Sequence, residues 1–175
     1  MRHLFYWLLV LALMFLGLTM SVNYAIVPQD CMPKSQLRHI ANTPIGPTIT
    51  TTSFVVFPQD CNANPPMLFG GKTLSEMDRC AGITARRFLY NSPTGAKDAV
   101  TASINEVKFH KGAQVKDLIT LTGKITKVGI KTITIQVTVE RELANEKELI
   151  ADGEFVYCAF NLEQKRAIAH GLDPK

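Results

Sequence analysis

The chain has 175 residues, 46% hydrophobic and 19% charged, with a formal net charge of +4. That length suits one domain with a buried core plus additional segments. Lys and Arg form no dense cluster, which argues against a nucleic-acid partner. The four cysteines, Cys31, Cys61, Cys80 and Cys158, contain no CxxC pair, which argues against a structural zinc site.

Arg2 and His3 precede Leu4–Met20, 17 residues without a charge. This run falls between the apolar core of a signal peptide and a full membrane span. Residues 1–26 therefore read as an uncleaved signal-anchor, a cleaved signal peptide, or a helix buried in the protein. Positive charge before the run favours an N-terminus inside and a domain outside. The expected localisation is membrane-associated or exported, with an extracytoplasmic domain, where disulfides are allowed. Cys31 and Cys61 each end a PQDC tetrapeptide, and Cys31–Cys61 is one of the pairings open to four cysteines.

Residues 27–47, with Pro28, Pro33, Pro44, Gly46 and Pro47, read as a linker. Residues 48–57 are rich in Thr, Ile and Val and predict a strand. A Pro- and Asn-containing loop follows to residue 66, then Gly70-Gly71 and a helix over 72–90, stopped by Asn91, Ser92, Pro93 and Gly95. From Ala99 the period becomes two. Ile133, Ile135, Val137 and Val139 alternate with Thr132, Thr134, Gln136 and Thr138, a half-buried strand. Further strands are expected over 100–109, 118–127 and 154–162, with a turn at 127–129. Short connections imply antiparallel neighbours. The fold class is α+β: one long helix on a single antiparallel sheet of about five strands, over residues 48–172.

On that helix Leu74, Asp78, Ala81, Ala85 and Phe88 form one stripe, with Leu89 beside it, while Glu76, Arg79 and Arg86 point elsewhere. Asp78 has no cation three or four residues away. A carboxylate there needs a tertiary partner or a chemical role. Gly70 and Gly71 before the helix allow close approach to backbone N–H groups that bind an anion or oxyanion; a plain tight turn is the other reading. Asn62 and Asn64 can orient a water or carbonyl, or serve as turn residues.

The segment PQDCNANPPMLFGGKTLSEMDRCAGITARR resembles the central motif of the hot-dog fold acyl-CoA thioesterases of the acyl-CoA hydrolase type. That motif pairs a D-x-N loop with F-G-G, then M-D or M-E on the helix, then small residues. Asp60, Asn62, Phe69, Gly70, Gly71, Met77, Asp78, Ala81 and Gly82 match it. Downstream, VTASINEVKFHKGAQVKDLI resembles the strand, turn and strand that follow, with Phe109 and Asp117 at recurrent positions. Two features depart from the pattern. Pro65-Pro66 stands where the family has Gly before the Phe, with one extra residue. Lys116 stands where Gly is common.

The resemblance implies hydrolysis of an acyl thioester, acyl-CoA or related, without metal or cofactor. The active site lies between protomers of a homodimer or higher homo-oligomer. Asp78 acts as general base or nucleophile, Gly70 and Gly71 N–H groups hold the carbonyl oxygen, and Asn62 or Asn64 places the water. Phe69 lines the substrate side, and Lys165 and Arg166 are candidates for the coenzyme phosphates. Arg86 and Arg87 suit the helix C-terminal dipole as well as those phosphates. Two alternatives stay open. One is a hot-dog hydratase or dehydratase using His39, His110 or His170 near a carboxylate. The other is a non-catalytic acyl- or lipid-binding protein attached to the membrane through the N-terminal segment.

Overall fold

The computed structural model describes residues 47–62 and 65–172. The expected membrane segment, the linker up to residue 46 and Asn64 lie outside the described residues. No helix among the described residues is long and apolar enough to cross a membrane.

The elements in chain order are β1 (Ile49–Val55), a 3-10 turn (Pro58–Asp60), a short hairpin of β2 (Cys61–Asn62) and β3 (Met67–Leu68), and α1 (Gly70–Leu89). Then follow β4 (Asp98–Phe109), β5 (Leu118–Val128), β6 (Thr132–Glu142), β7 (Lys147–Asn161) and β8 (Arg166–Ala167). The main sheet runs β1-β5-β6-β7-β4, all antiparallel, with β8 paired to β7. Residues in a strand point alternately to the two faces. Ile119 and Leu121, Ile133 to Val139 at every second position, and Phe155, Tyr157 and Ala159 therefore bury one face against α1. Thr132, Thr134, Gln136 and Thr138 take the other. This is the hot-dog arrangement implied by the resemblance. Each fully buried large apolar side chain, Phe88 and Phe155 among them, contributes about 1.5–3 kcal/mol.

The helix packs tightly on the sheet at Gly123, where a Cβ would fall 2.6 Å from Thr84 Oγ1. Its buried positions are Thr73, Glu76, Met77, Cys80, Ala81, Thr84, Ala85, Phe88 and Leu89. The stripe expected through Leu74 and Asp78 is thus rotated. Leu74 and Asp78 are half-buried at its flank, and small or soft residues fill its centre. Glu76, expected to point away, is 5% exposed. It is held by Lys72 at 2.9 Å and by Arg79.

The glycine pair also differs from expectation. Gly70 and Gly71 are the first two residues of α1 rather than a turn before it. The first helical positions donate no N–H to an earlier turn, so glycine is tolerated there. β7 begins at Lys147, earlier than expected; Ala151-Asp152-Gly153, of low strand propensity, masks its first half in the sequence pattern. The β5–β6 turn falls at residues 129–131 rather than 127–129.

Candidate active site

Asp78 lies one residue beyond the fully buried Met77, about 100° round the helix, at the edge of the buried stripe. Beneath it, β4 and β7 pair so that Thr101 is directly opposite Tyr157. Directly opposed residues project to the same face, and here both hydroxyls reach the aspartate. Thr101 Oγ1 donates to Asp78 Oδ1 at 2.9 Å. The Tyr157 hydroxyl lies 2.7 Å from the same Oδ1 and 2.6 Å from the Asp78 backbone oxygen. Asp78 Oδ2 has no hydrogen-bond or ion-pair partner among the described residues, and it is not among the buried unpaired atoms. The carboxylate is therefore anchored through one oxygen and open to solvent through the other.

Burial raises the pKa of Tyr157 well above its ordinary value, and the neighbouring Asp78 carboxylate raises it further. A hydrogen bond with Thr101 acts in the opposite direction. Tyr157 thus remains a phenol and a donor at any physiological pH. Neither Thr101 nor Tyr157 was singled out in the sequence. The available signal was Tyr157 itself, a polar tip in a helix-facing strand series, which needs a partner when buried.

The start of α1 forms the other part of the site. Its N-cap is Phe69, in an extended conformation and without a side-chain cap. The first helical bond runs from Thr73 N–H to Phe69 O at 3.1 Å. The N–H groups of Gly70 and Gly71 precede that bond, a ready anion-binding arrangement. Asp60 fastens the preceding loop here. Its backbone oxygen accepts from Phe69 N–H at 2.9 Å, its Oδ2 accepts from Phe57 N–H at 3.0 Å, and its Oδ1 is 3.5 Å from Lys72 Nζ. Asn62 is exposed on β2, paired with Met67. The chain thus brings Asn62, Phe69, Gly70 and Gly71 to one end of the helix. Asp78 lies seven residues beyond Gly71, about 10 Å along the axis.

Lys165 and Arg166 lie past the end of β7. Arg166 is tied to Gln164 Oε1 at 2.9 Å. Four residues of β7, about 13 Å, separate Tyr157 from Asn161, where that turn begins, so these cations are not beside Asp78. Arg86 pairs with Asp98 at 2.9 Å. Of the histidines, His39 lies outside the described residues. His110 pairs with Asp152 on the sheet face opposite the helix, where Gln136 also reaches Asp152. His170 is buried, donating to Gly129 O at 2.7 Å and accepting from Leu172 N–H at 3.0 Å. Cys61, Cys80 and Cys158 are free thiols; Cys31 lies outside the described residues. No metal-binding cluster occurs among the described residues.

Residues 66–146 match the family described as Thioesterase superfamily. The chain is 35% identical over 112 residues to an uncharacterized acyl-CoA thioester hydrolase of Bacillus subtilis, a match covering 63% of this chain and 61% of that protein. It therefore spans less than two thirds of that relative's length. Among solved structures, it is similar to an acyl-CoA hydrolase from Staphylococcus aureus in complex with butyryl coenzyme A, coenzyme A and coenzyme A disulfide. That similarity has a TM-score of 0.62 and 25% identity, over 73% of this chain and 75% of the other. An apo hexameric acyl-CoA thioesterase matches with a TM-score of 0.61 and 28% identity, over 73% and 79% of the two chains.

Proposed function

We propose that the chain, whose residues 66–146 match the thioesterase superfamily, hydrolyses an acyl-CoA-type thioester to a free acid and a thiol. The observation that carries this reading is the state of Asp78. Its Oδ1 is held by two neutral hydroxyls, while its Oδ2 is accessible and has no partner among the described residues. In the proposed reaction Oδ2 takes a proton from water, and the water oxygen bonds to the thioester carbon. The charge passes to the carbonyl oxygen, which the Gly70 and Gly71 N–H groups stabilise. The C–S bond then breaks and the proton on Asp78 goes to the departing thiolate, restoring the carboxylate. A thiolate is a good leaving group, so no stronger acid is required. Asn62 or Asn64 places the water. The named activity of the B. subtilis relative and the coenzyme A ligands in the S. aureus structure support this substrate class.

A carbonyl within reach of Asp78 cannot also touch Gly71 of the same helix, about 10 Å away along the axis. A second copy of the chain is therefore proposed to supply the helix start. β4 favours this. It is a 12-residue edge strand whose Val100 and Ile104 are 40% and 42% exposed, and it carries Thr101. An exposed edge of that length is a template for pairing. A fully active monomer in sedimentation would refute the shared site. The catalytic reading is tested by thiol release from butyryl-CoA and palmitoyl-CoA, comparing the full chain with Asp78→Asn. An unchanged rate in the variant would end it.

A further inference from the structure

Asp78 can act through Oδ2 only if its carboxylate stays in one rotation, and the structure shows what fixes it. Tyr157 Oη sits 2.7 Å from Oδ1 and 2.6 Å from the Asp78 backbone oxygen, so it spans the side chain and its own main chain. It reaches the helix because residue 82 is glycine. A Cβ at Gly82 would fall 3.1 Å from Tyr157 Oη and 3.4 Å from Cε1. The contact is tight enough that the hydroxyl would have to give by a few tenths of an ångström.

We infer that Tyr157, admitted to the helix by Gly82, is a positioning residue that directs Asp78 Oδ2 at the substrate; this rests on the hydrolytic reading above. The Tyr157 ring comes from β7, a central strand flanked by β6 and β4, and is held in the core at 3% exposure. Burial keeps the phenol protonated, so its hydroxyl has a proton to donate to Asp78. A donor at Oδ1 stabilises the carboxylate and leaves Oδ2 as the oxygen without competing bonds. Thr101 adds a second donor at Oδ1, but from an edge strand. Tyr157 has a further property. When Asp78 takes the proton from water, the phenol can shift its hydrogen bond to the backbone oxygen 2.6 Å away, so it remains satisfied through the cycle.

Two variants test this from opposite sides. Tyr157→Phe deletes the hydroxyl and keeps the ring. Gly82→Ala keeps the hydroxyl and shifts it by a few tenths of an ångström away from Asp78. The full chain and both variants are assayed with butyryl-CoA, alongside Asp78→Asn, and their thermal midpoints are measured. In each variant kcat is expected to fall about 10–100-fold, the weight of one hydrogen bond to a charged group, with KM within about twofold. Gly82→Ala is the sharper case. Alanine propagates a helix better than glycine, so its midpoint should not fall while its kcat does. Wild-type kcat in both variants, with Asp78→Asn inactive, overturns the inference and leaves the hydrolytic reading standing. Loss of kcat matched by a fall in the midpoint of both variants overturns it in favour of a merely structural tyrosine. If the wild-type chain itself releases no thiol, the hydrolytic reading falls and the inference with it.

Discussion

The two flanks of α1 carry carboxylates two residues apart, on sides of the helix about 200° apart, and the chain treats them differently. On one flank Glu76 is almost fully covered, with Oε1 on Lys72 and Oε2 on Arg79; Lys72 extends the network to Asp60. Both of its oxygens are taken, and by cations. On the other flank Asp78 meets no cation among the described residues. Its partners are neutral hydroxyls, both at Oδ1. A carboxylate satisfied through both oxygens is part of a clamp. One anchored through a single oxygen keeps a lone pair in a fixed direction, which a base or nucleophile requires. Through Lys72, which also pairs with Asp60, this clamp ties the loop before the helix to its first turn.

The largest effect should come from Asp78→Asn. The amide oxygen can still accept from Tyr157 and Thr101, so the thermal midpoint should stay near wild type. Turnover of acyl-CoA should fall by roughly 10²–10⁴-fold, about 3–5 kcal/mol in the barrier. A variant that loses stability instead would move Asp78 into the same class as Glu76 and remove the contrast.

His170 extends the comparison to a buried group satisfied at both ring nitrogens. It lies edge-on to Phe88, donates to Gly129 O and accepts from Leu172 N–H. Burial holds its pKa below the ordinary 6.5. Below pH about 6.5 the unfolded chain takes up this proton and the folded chain resists it, so the unfolded state binds more protons and stability falls as pH falls. Wild-type midpoints are expected to decline between pH 7 and pH 5. His170→Gln should be less stable at pH 7.5 by about 1–3 kcal/mol, with a shallower decline. Equal slopes for the two proteins would show that other groups set the acid sensitivity.

Glu76→Gln should have a smaller effect, because Arg79 is exposed and Lys72 partly so, and ion pairs that reach solvent contribute little. The expected loss is about 0.5–1 kcal/mol of stability, seen in urea unfolding, with acyl-CoA turnover intact. A drop in turnover like that of Asp78→Asn would mean that the two flanks are not functionally distinct.

Much of this was legible in the chain. The alternation Ile133-Ile135-Val137-Val139 marks a half-buried strand on pattern alone, and the helix ends where Asn91, Ser92 and Pro93 require. Asp78 stands out because no cation lies three or four residues away. The stripe was harder to read. Cys80 and Thr84 face the sheet because Gly123 allows contact there, and Met77 packs at Gly153; a spacing rule cannot see a glycine on a different element. Glu76 was misplaced for a related reason. Burying a carboxylate depends on Lys72 and Arg79 folding over it, and sequence shows the partners without their rotamers. Tyr157 escaped notice because its relation to Asp78 spans 79 positions and depends on the pairing of β4 with β7.

The smallest expected effect tests whether a departure from the family pattern is local. Lys116 adopts φ 77°, in the left-handed region, within the turn leading into β5. Its N–H is bonded to Val56 O at 2.9 Å, and the turn is closed by Asp117 N–H on Gln114 O at 3.1 Å. The Asp117 side chain accepts from Gln114 N–H at 2.8 Å and from Arg141 at 3.1 Å. The conformation is therefore imposed by its neighbours, at a cost of about 1–2 kcal/mol for a residue with a Cβ. That cost explains why glycine suits the position. Lys116→Gly removes the strain but frees the unfolded chain, which returns roughly 0.5–1 kcal/mol of the gain. A net stabilisation of about 0.5–1 kcal/mol is expected in urea unfolding, with kcat for acyl-CoA unchanged, since the turn touches neither Asp78 nor Tyr157. Destabilisation would mean that the Lys116 side chain makes a contact worth more than the strain it causes.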